Sequence, residues 1–309
     1  MSRIPRCRQI DPDDTCEYHL YSRGAQGLLL FEDEACKTHA YERLRQFHTN
    51  FAIEVLTHNF MGNHFHMIVR MDPIAAACWT PREVIRRWYG AHPGGKGKLS
   101  EKRIQRHLND HEWIEAKRQA LASVSQFMKD FKQAITQWIN HNHGTRGTAW
   151  QERFGSKPIH SRDQLIYTAA YIDLNPVAAG LFFNPHEAPF SSAHERWLRE
   201  KYANPDDLMR EVPLPPGVIG VPPMGDADPK HRACTAANPG PGHRGQPLIR
   251  GASDRDYLRL LDNLAPLVRK GSCRATGRAR RSAEKLGTSV ARLLEFLRSM
   301  YADPRFAPT

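Results

Sequence analysis

Residues 64–66 read His-Phe-His and open an apolar run that follows another across Met61-Gly62-Asn63. The whole stretch, Phe51 to Met71, has the pattern of a β-hairpin. Strand alternation puts His64 and His66 on one face and Phe65 on the other. Two imidazoles on one sheet face can hold a metal ion, while Ile53, Val55, Phe65, Met67 and Val69 fill a core beneath the sheet. A second triplet, His141-Asn142-His143, sits at a helix end beside Gly144, where nothing fixes both rings on one face. On spacing alone, His-x-His fits a structural pair about as well as a metal site. Downstream, Tyr171 and Asn175 are four apart and share a helix face, bringing a phenol and an amide oxygen into one pocket. An oxygen ligand beside two imidazoles suits a divalent cation such as magnesium or manganese.

The elements that position these groups follow a recognisable order. Tyr18 to Ser22 alternate weakly and end at Arg23-Gly24, which predicts a strand and a turn, with Leu28 to Phe31 as an extension. Asp33-Glu34 open a helix with Ala40, Leu44 and Phe47 on one side, running to about Thr49. After the hairpin, Thr80-Pro81 read as an N-cap with proline at the first helical position, and the glycine-rich AHPGGKGK segment breaks that helix. Glu112 to Asn140 keep helical spacing in Ile114, Leu121, Val124, Phe127, Phe131, Ile135 and Trp138. HNHGTRGTAWQERFGSKPIH reads as a loop, and Asp163 to Ile172 as a helix ending near Asn175, because Pro176 disfavours helical geometry before it. A last short run, Leu181 to Phe183, completes the elements. Strand, helix and hairpin in this order predict an α+β sandwich with an antiparallel sheet, ferredoxin-like once a further helix and strand are added.

The 309 residues carry 44 Lys and Arg against 33 Asp and Glu, a formal charge of +11. Such a surface attracts polyanions, above all nucleic acid. No apolar run approaches the roughly 18 residues needed to span a bilayer, and the N-terminus lacks a signal-peptide core. Six scattered cysteines form no C-x-x-C pair, so reduced thiols and a cytoplasmic location are expected. The loop's Arg146, Arg153 and Lys157 lie among Trp150 and Phe154, a mixture that suits single strands, with charges for phosphates and rings for unstacked bases. Arg23 and Arg70 are further candidate phosphate contacts. Val212 to Gly245 hold most of the prolines and glycines and read as a linker. Beyond it, helical patterns flank the basic run RKGSCRATGRARR, a second candidate contact with nucleic acid.

Taken together, His64-Phe65-His66, Tyr171-Ile172-Asp173-Leu174-Asn175-Pro176-Val177, Ser22-Arg23-Gly24 and Trp150-Gln151-Glu152-Arg153-Phe154 make residues 17–195 resemble the HUH single-tyrosine transposases. Most closely, the chain resembles the REP-associated tyrosine transposases. The resemblance implies a ferredoxin-like, RRM-like antiparallel sheet with helices on one face; the sequence adds a helical insertion and a C-terminal helical appendage, which lie outside the best-matching part. It implies the two histidines on a central strand and a helix carrying the nucleophile opposite them. On this basis residues 1–200 form the catalytic domain, with the insertion at about 74–140; 201–250 form the linker and 251–309 a basic helical region. Tyr171 matches the nucleophile, four positions before the Asn-Pro; Tyr167 lacks that offset and reads as a pocket wall. Asn175 matches the third metal ligand beside His64 and His66, for Mg or Mn.

The implied reaction is attack by Tyr171 on a phosphorus of single-stranded DNA, leaving a 5′-phosphotyrosine and a free 3′-hydroxyl that can reverse the step without ATP. The implied substrate carries hairpins such as REP-like palindromes; a homodimer is compatible, a membrane partner is not expected, and the location is nucleoid-associated. Two alternatives stay open: a catalytically silent nucleic-acid-binding protein on the same fold, and a replication-initiation or relaxase-like nickase.

Overall fold

The computed structural model describes residues 15–92, 99–201, 248–249, 252–271 and 274–303. Most of the glycine-rich segment after His92 and all of the linker from Val212 to Gly245 lie outside the described residues. Four antiparallel strands, β1 (Cys16–Arg23), β2 (Ile53–Phe60), β3 (His64–Met71) and β4 (Gly155–Ile159), form one sheet in the order β2-β3-β1-β4. This is the ferredoxin-like order, with β1 and β3 in the centre.

The first helix, α1 (Glu34–Asn50), begins where the Asp33 side chain accepts a hydrogen bond from the Ala35 amide, satisfying one of the free first-turn N–H groups. Four helices follow the hairpin: α2 (Pro73–Ala77), α3 (Pro81–Ala91), α4 (Glu101–Leu108) and α5 (His111–Leu121). Next comes α6 (Val124–His143), which packs along α1. It closes the stretch expected as an insertion but belongs to the sandwich, so only α2 to α5 stand outside the strand-helix-strand-strand-helix-strand order. Tyr18, Leu20, Phe65, Met67 and Val69 point into this layer, joined by Phe47, Phe127 and Phe131. The Phe65 and Phe131 rings meet edge to face with centroids 5.4 Å apart.

Helices lie on the opposite face as well, so the one-sided arrangement holds for α1 and α6 alone. That face carries α7 (Arg162–Ala178), α8 (Ser192–Lys201), α9 (Asp254–Arg269), α10 (Gly277–Lys285) and α11 (Val290–Ala302). Every residue of α7 from Leu165 to Val177 is buried, because the sheet covers one side of it and α9 and α11 the other. The C-terminal helices share one apolar core with α7 through Tyr257, Leu261, Leu264, Leu293 and Leu297. They complete the second layer instead of hanging from it as an appendage.

Four local readings are corrected. The loop expected at 141–160 contains β4, an edge strand bonded to β1 alone, where Pro158 is tolerated and the alternation that marks a two-sided strand is missing. Leu28 to Phe31 and Leu181 to Phe183 do not extend the sheet; Phe31 turns into the first core, and Phe183 is exposed beneath the Arg269 guanidinium. Most tellingly, α7 runs through Pro176. A helical proline leaves the carbonyl four residues earlier without its donor. Here the Ile172 carbonyl accepts a 3.0 Å bond from the Asn59 amide on β2 instead.

Asn59 reaches that carbonyl because of a register shift between Val55 and Thr57. Leu56 is the extra residue, and a one-residue shift exchanges the faces of everything beyond it. Thr57 and Asn59 therefore face α7, while Phe60 pairs with Phe65 over the first core. Thr57 and Tyr257 donate to Asp173 at 2.8 Å each, and Arg196 lies 3.2 Å from the same carboxylate. This buried network ties β2, α7, α8 and α9 together. Among the described residues no helix is long and apolar enough to cross a membrane.

Candidate active site

Pairing of β1 with β3 sets Arg23 opposite His64 and Tyr21 opposite His66. Alternation then brings His19, Tyr21, Arg23, His64 and His66 to the sheet face that α7 covers. The His64 and His66 rings stand 5.0 Å apart between centroids, nearly perpendicular at 79°. From α7, the Tyr171 hydroxyl lies 3.2 Å from His66 Nε2, with the two rings edge to face. Asn175, one turn on, is fully buried. Its carboxamide stands beside the Tyr171 hydroxyl and favours the phenolate, yet its geometry leaves both amide atoms without a conventional hydrogen bond.

Each imidazole has its Nδ1 held by the protein. His64 Nδ1 is 2.7 Å from Asn63 Oδ1, and His64 Nε2 is buried without a partner. His66 Nδ1 is 3.1 Å from His19 Nε2. Burial holds His64 and His19 down to about 3, with the Arg23 charge adding to the effect on His64 and Lys157 on His19. His66 is lowered well below its ordinary value, first by burial and then by the charges around it. All three rings are therefore neutral at physiological pH, the form that binds metal.

Tyr171 is shifted the other way. Burial raises its hydroxyl well above the ordinary phenol value, and Asn175 and Arg23 offset part of that rise. Arg23 thus brings a positive charge to the site, with one guanidinium nitrogen buried and unpartnered. The Tyr171 side chain has no exposure, and its ring packs against Tyr301 in the last turn of α11 at 5.3 Å.

His64, His66, Tyr171 and Asn175 lie between the sheet and α7, with Arg23 across from His64 and Lys157 across from His19. Arg70 does not join them. It lies six residues along β3 from His64, roughly 20 Å away at strand rise, and is paired with Glu17 and Glu54 at 2.7 and 2.8 Å. Arg146 and Arg153 are exposed on the segment before β4; Arg153 lines an open groove with Lys132, Gln133, Gln137 and Trp150. Tyr167 engages Thr288 and Phe296 of the C-terminal region. His141 and His143 are exposed at the end of α6. Sequence reading passed over His19. Its signal was the alternation His19, Tyr21, Arg23 along β1, which becomes informative once β1 is known to pair with β3.

Among the described residues no three His, Cys, Asp or Glu side chains converge in metal-binding geometry. A cation here would take its third protein ligand from the Asn175 oxygen. The unpartnered His64 Nε2 and Asn175 carboxamide, buried beside neutral imidazoles, fit that role.

No family model and no curated protein matches the chain. Among solved structures, it is similar to a REP-associated tyrosine transposase bound to a REP hairpin, with 18% identity over 65% of this chain and 88% of that one. The TM-score is 0.39, a likeness too loose to carry an argument about function.

Proposed function

We propose that the chain is a metal-dependent endonuclease and strand-transferase of single-stranded DNA, acting through Tyr171 in the manner of a REP-associated tyrosine transposase. The observation that carries this reading is the Tyr171 hydroxyl 3.2 Å from His66 Nε2, with Asn175 and Arg23 beside it. A merely structural tyrosine would not need two neutral imidazoles with committed Nδ1 atoms, an unpartnered amide and a guanidinium nitrogen without a partner around it. His64, His66 and Asn175 would hold a divalent cation, Mg or Mn, which when bound polarises the scissile phosphate and offsets charge that develops on it.

The chain's own residues do the rest. Tyr171 attacks phosphorus, its phenolic proton leaves, and the bond to the 3′-oxygen breaks. That oxygen takes up a proton, leaving a 5′-phosphotyrosine and a free 3′-hydroxyl. Arg23 opposes the burial that keeps the phenol protonated and faces the phosphate charge. The lone pair of His66 that faces the Tyr171 hydroxyl is the one His66 would offer a cation. The +11 charge, with Lys157 near the site and Arg146 and Arg153 on the adjoining loop, supports a DNA partner. Hairpin-bearing strands in the cytoplasm, close to the nucleoid, are the proposed substrate.

The test is incubation with 5′-labelled and 3′-labelled hairpin single strands and Mn²⁺, followed by denaturing electrophoresis. The wild-type chain forms a covalent adduct with the fragment downstream of the cut, and Tyr171→Phe or added chelator abolishes it while gel-shift binding persists. The complete burial of Tyr171 favours a second reading, a catalytically silent DNA-binding protein. Binding without any adduct, in every metal tried, would establish that one.

A further inference from the structure

The contact between His66 and His19 is not accounted for by binding a cation or attacking DNA, and it rests on the two-part site proposed above. His19 Nε2 lies 3.1 Å from His66 Nδ1, His66 Nε2 lies 3.2 Å from the Tyr171 hydroxyl, and all three side chains are buried. A 3.1 Å pair of ring nitrogens is a hydrogen bond only if one donates and the other accepts. The two tautomers are therefore locked to one another: a proton on His66 Nδ1 requires a lone pair on His19 Nε2, and it leaves His66 Nε2 as a lone pair facing Tyr171.

The neighbouring imidazole shows the same plan. His64 Nδ1 meets Asn63 Oδ1 at 2.7 Å, an acceptor that calls for the proton on Nδ1 and leaves Nε2 bare. Ligating histidines generally donate their other N–H in this way, fixing both ring angle and tautomer. For His64 the orienting group comes from the turn of the hairpin itself; for His66 it comes from the adjacent strand. We infer that His19 is a positioning residue, which holds the His66 imidazole with Nδ1 protonated and the Nε2 lone pair turned towards Tyr171 and Asn175. Lys157 lies directly across from His19 on β4.

The test uses the full chain without DNA and reads two quantities. The first is the His66 tautomer in metal-free, ¹⁵N-histidine-labelled protein by long-range ¹⁵N–¹H spectra, with the signal assigned by its loss in His66→Gln. The second is Mn²⁺ affinity by calorimetry. Wild type shows a single His66 tautomer with Nε2 unprotonated. His19→Phe, and His19→Asn whose amide is too short to reach, give a mixture of tautomers and bind Mn²⁺ about 10- to 100-fold more weakly. His19→Gln, which can still reach Nδ1, recovers both to within about threefold of wild type. An unchanged tautomer in both His19→Phe and His19→Asn overturns the inference, and so does equal loss in His19→Gln, which would mark a packing role. If wild type binds no Mn²⁺, the metal reading fails, while the tautomer comparison still decides the role of His19.

Discussion

His58 offers a test of the packing at the β2 edge of the sheet that is independent of any ligand. It is fully buried where β2 meets α8, its Nδ1 2.7 Å from the Ser192 hydroxyl and its Nε2 without a partner. Burial brings its pKa from 6.5 to about 4, with Glu195 working against the shift and Arg196, Arg45 and His48 with it. The folded-state pKa is depressed, so the unfolded chain binds the proton more readily. This contribution is complete above pH 6.5, and it is lost progressively as pH falls towards 4. Each unit in that window costs about 1.4 kcal/mol, roughly 3 kcal/mol across it. Against a total stability on the order of 5–15 kcal/mol, one histidine becomes visible in acid. The perturbation is His58→Gln, which keeps a polar group beside Ser192 and removes the titration. Urea unfolding of both proteins at pH 7.5, 6.5, 5.5 and 5.0 cancels the titrations they share. At pH 7.5 the variant is the weaker, by about 1–3 kcal/mol for the disturbed bond and packing. By pH 5.0 that gap has closed by about 2 kcal/mol. A gap constant from pH 7.5 to 5.0 would refute the reasoning, because it would mean that His58 titrates alike in the folded and unfolded chain.

Two substitutions probe the site and its support. Arg23→Gln removes the cation that acts on Tyr171, and adduct formation with hairpin DNA drops about 100- to 1000-fold, the usual cost of losing one preorganised charge partner. Mn²⁺ affinity measured by calorimetry is equal or tighter in that variant, since a like charge has left the neighbourhood of His64; weaker Mn²⁺ binding would make Arg23 a structural support instead. Asn59→Leu strands the Ile172 carbonyl that Pro176 cannot serve, and thermal or urea unfolding registers a loss of about 1–3 kcal/mol. No loss there would mean that α7 bends to find another donor.

Much of this protein is written in local pattern. The hairpin, the capped start of α1, the Thr80 cap and the period of the long helix follow from alternation, 3.6-residue spacing and capping chemistry, which act between neighbours in the chain. The same locality places His64 with His66 and Tyr171 with Asn175, each pair on one face of its own element. Tertiary structure decided what no local rule reaches. Pro176 reads as a helix end until Asn59, 117 positions earlier, supplies the missing donor. The Gly155–Ile159 strand has no alternation to announce it, since an edge strand carrying a proline is defined by the neighbour it joins. His19 looks like an ordinary strand residue until pairing of β1 with β3 brings it to His66. Periodicity records which way a side chain points from its own backbone; which element it then meets depends on the register and packing of the whole sheet, and the site forms only there.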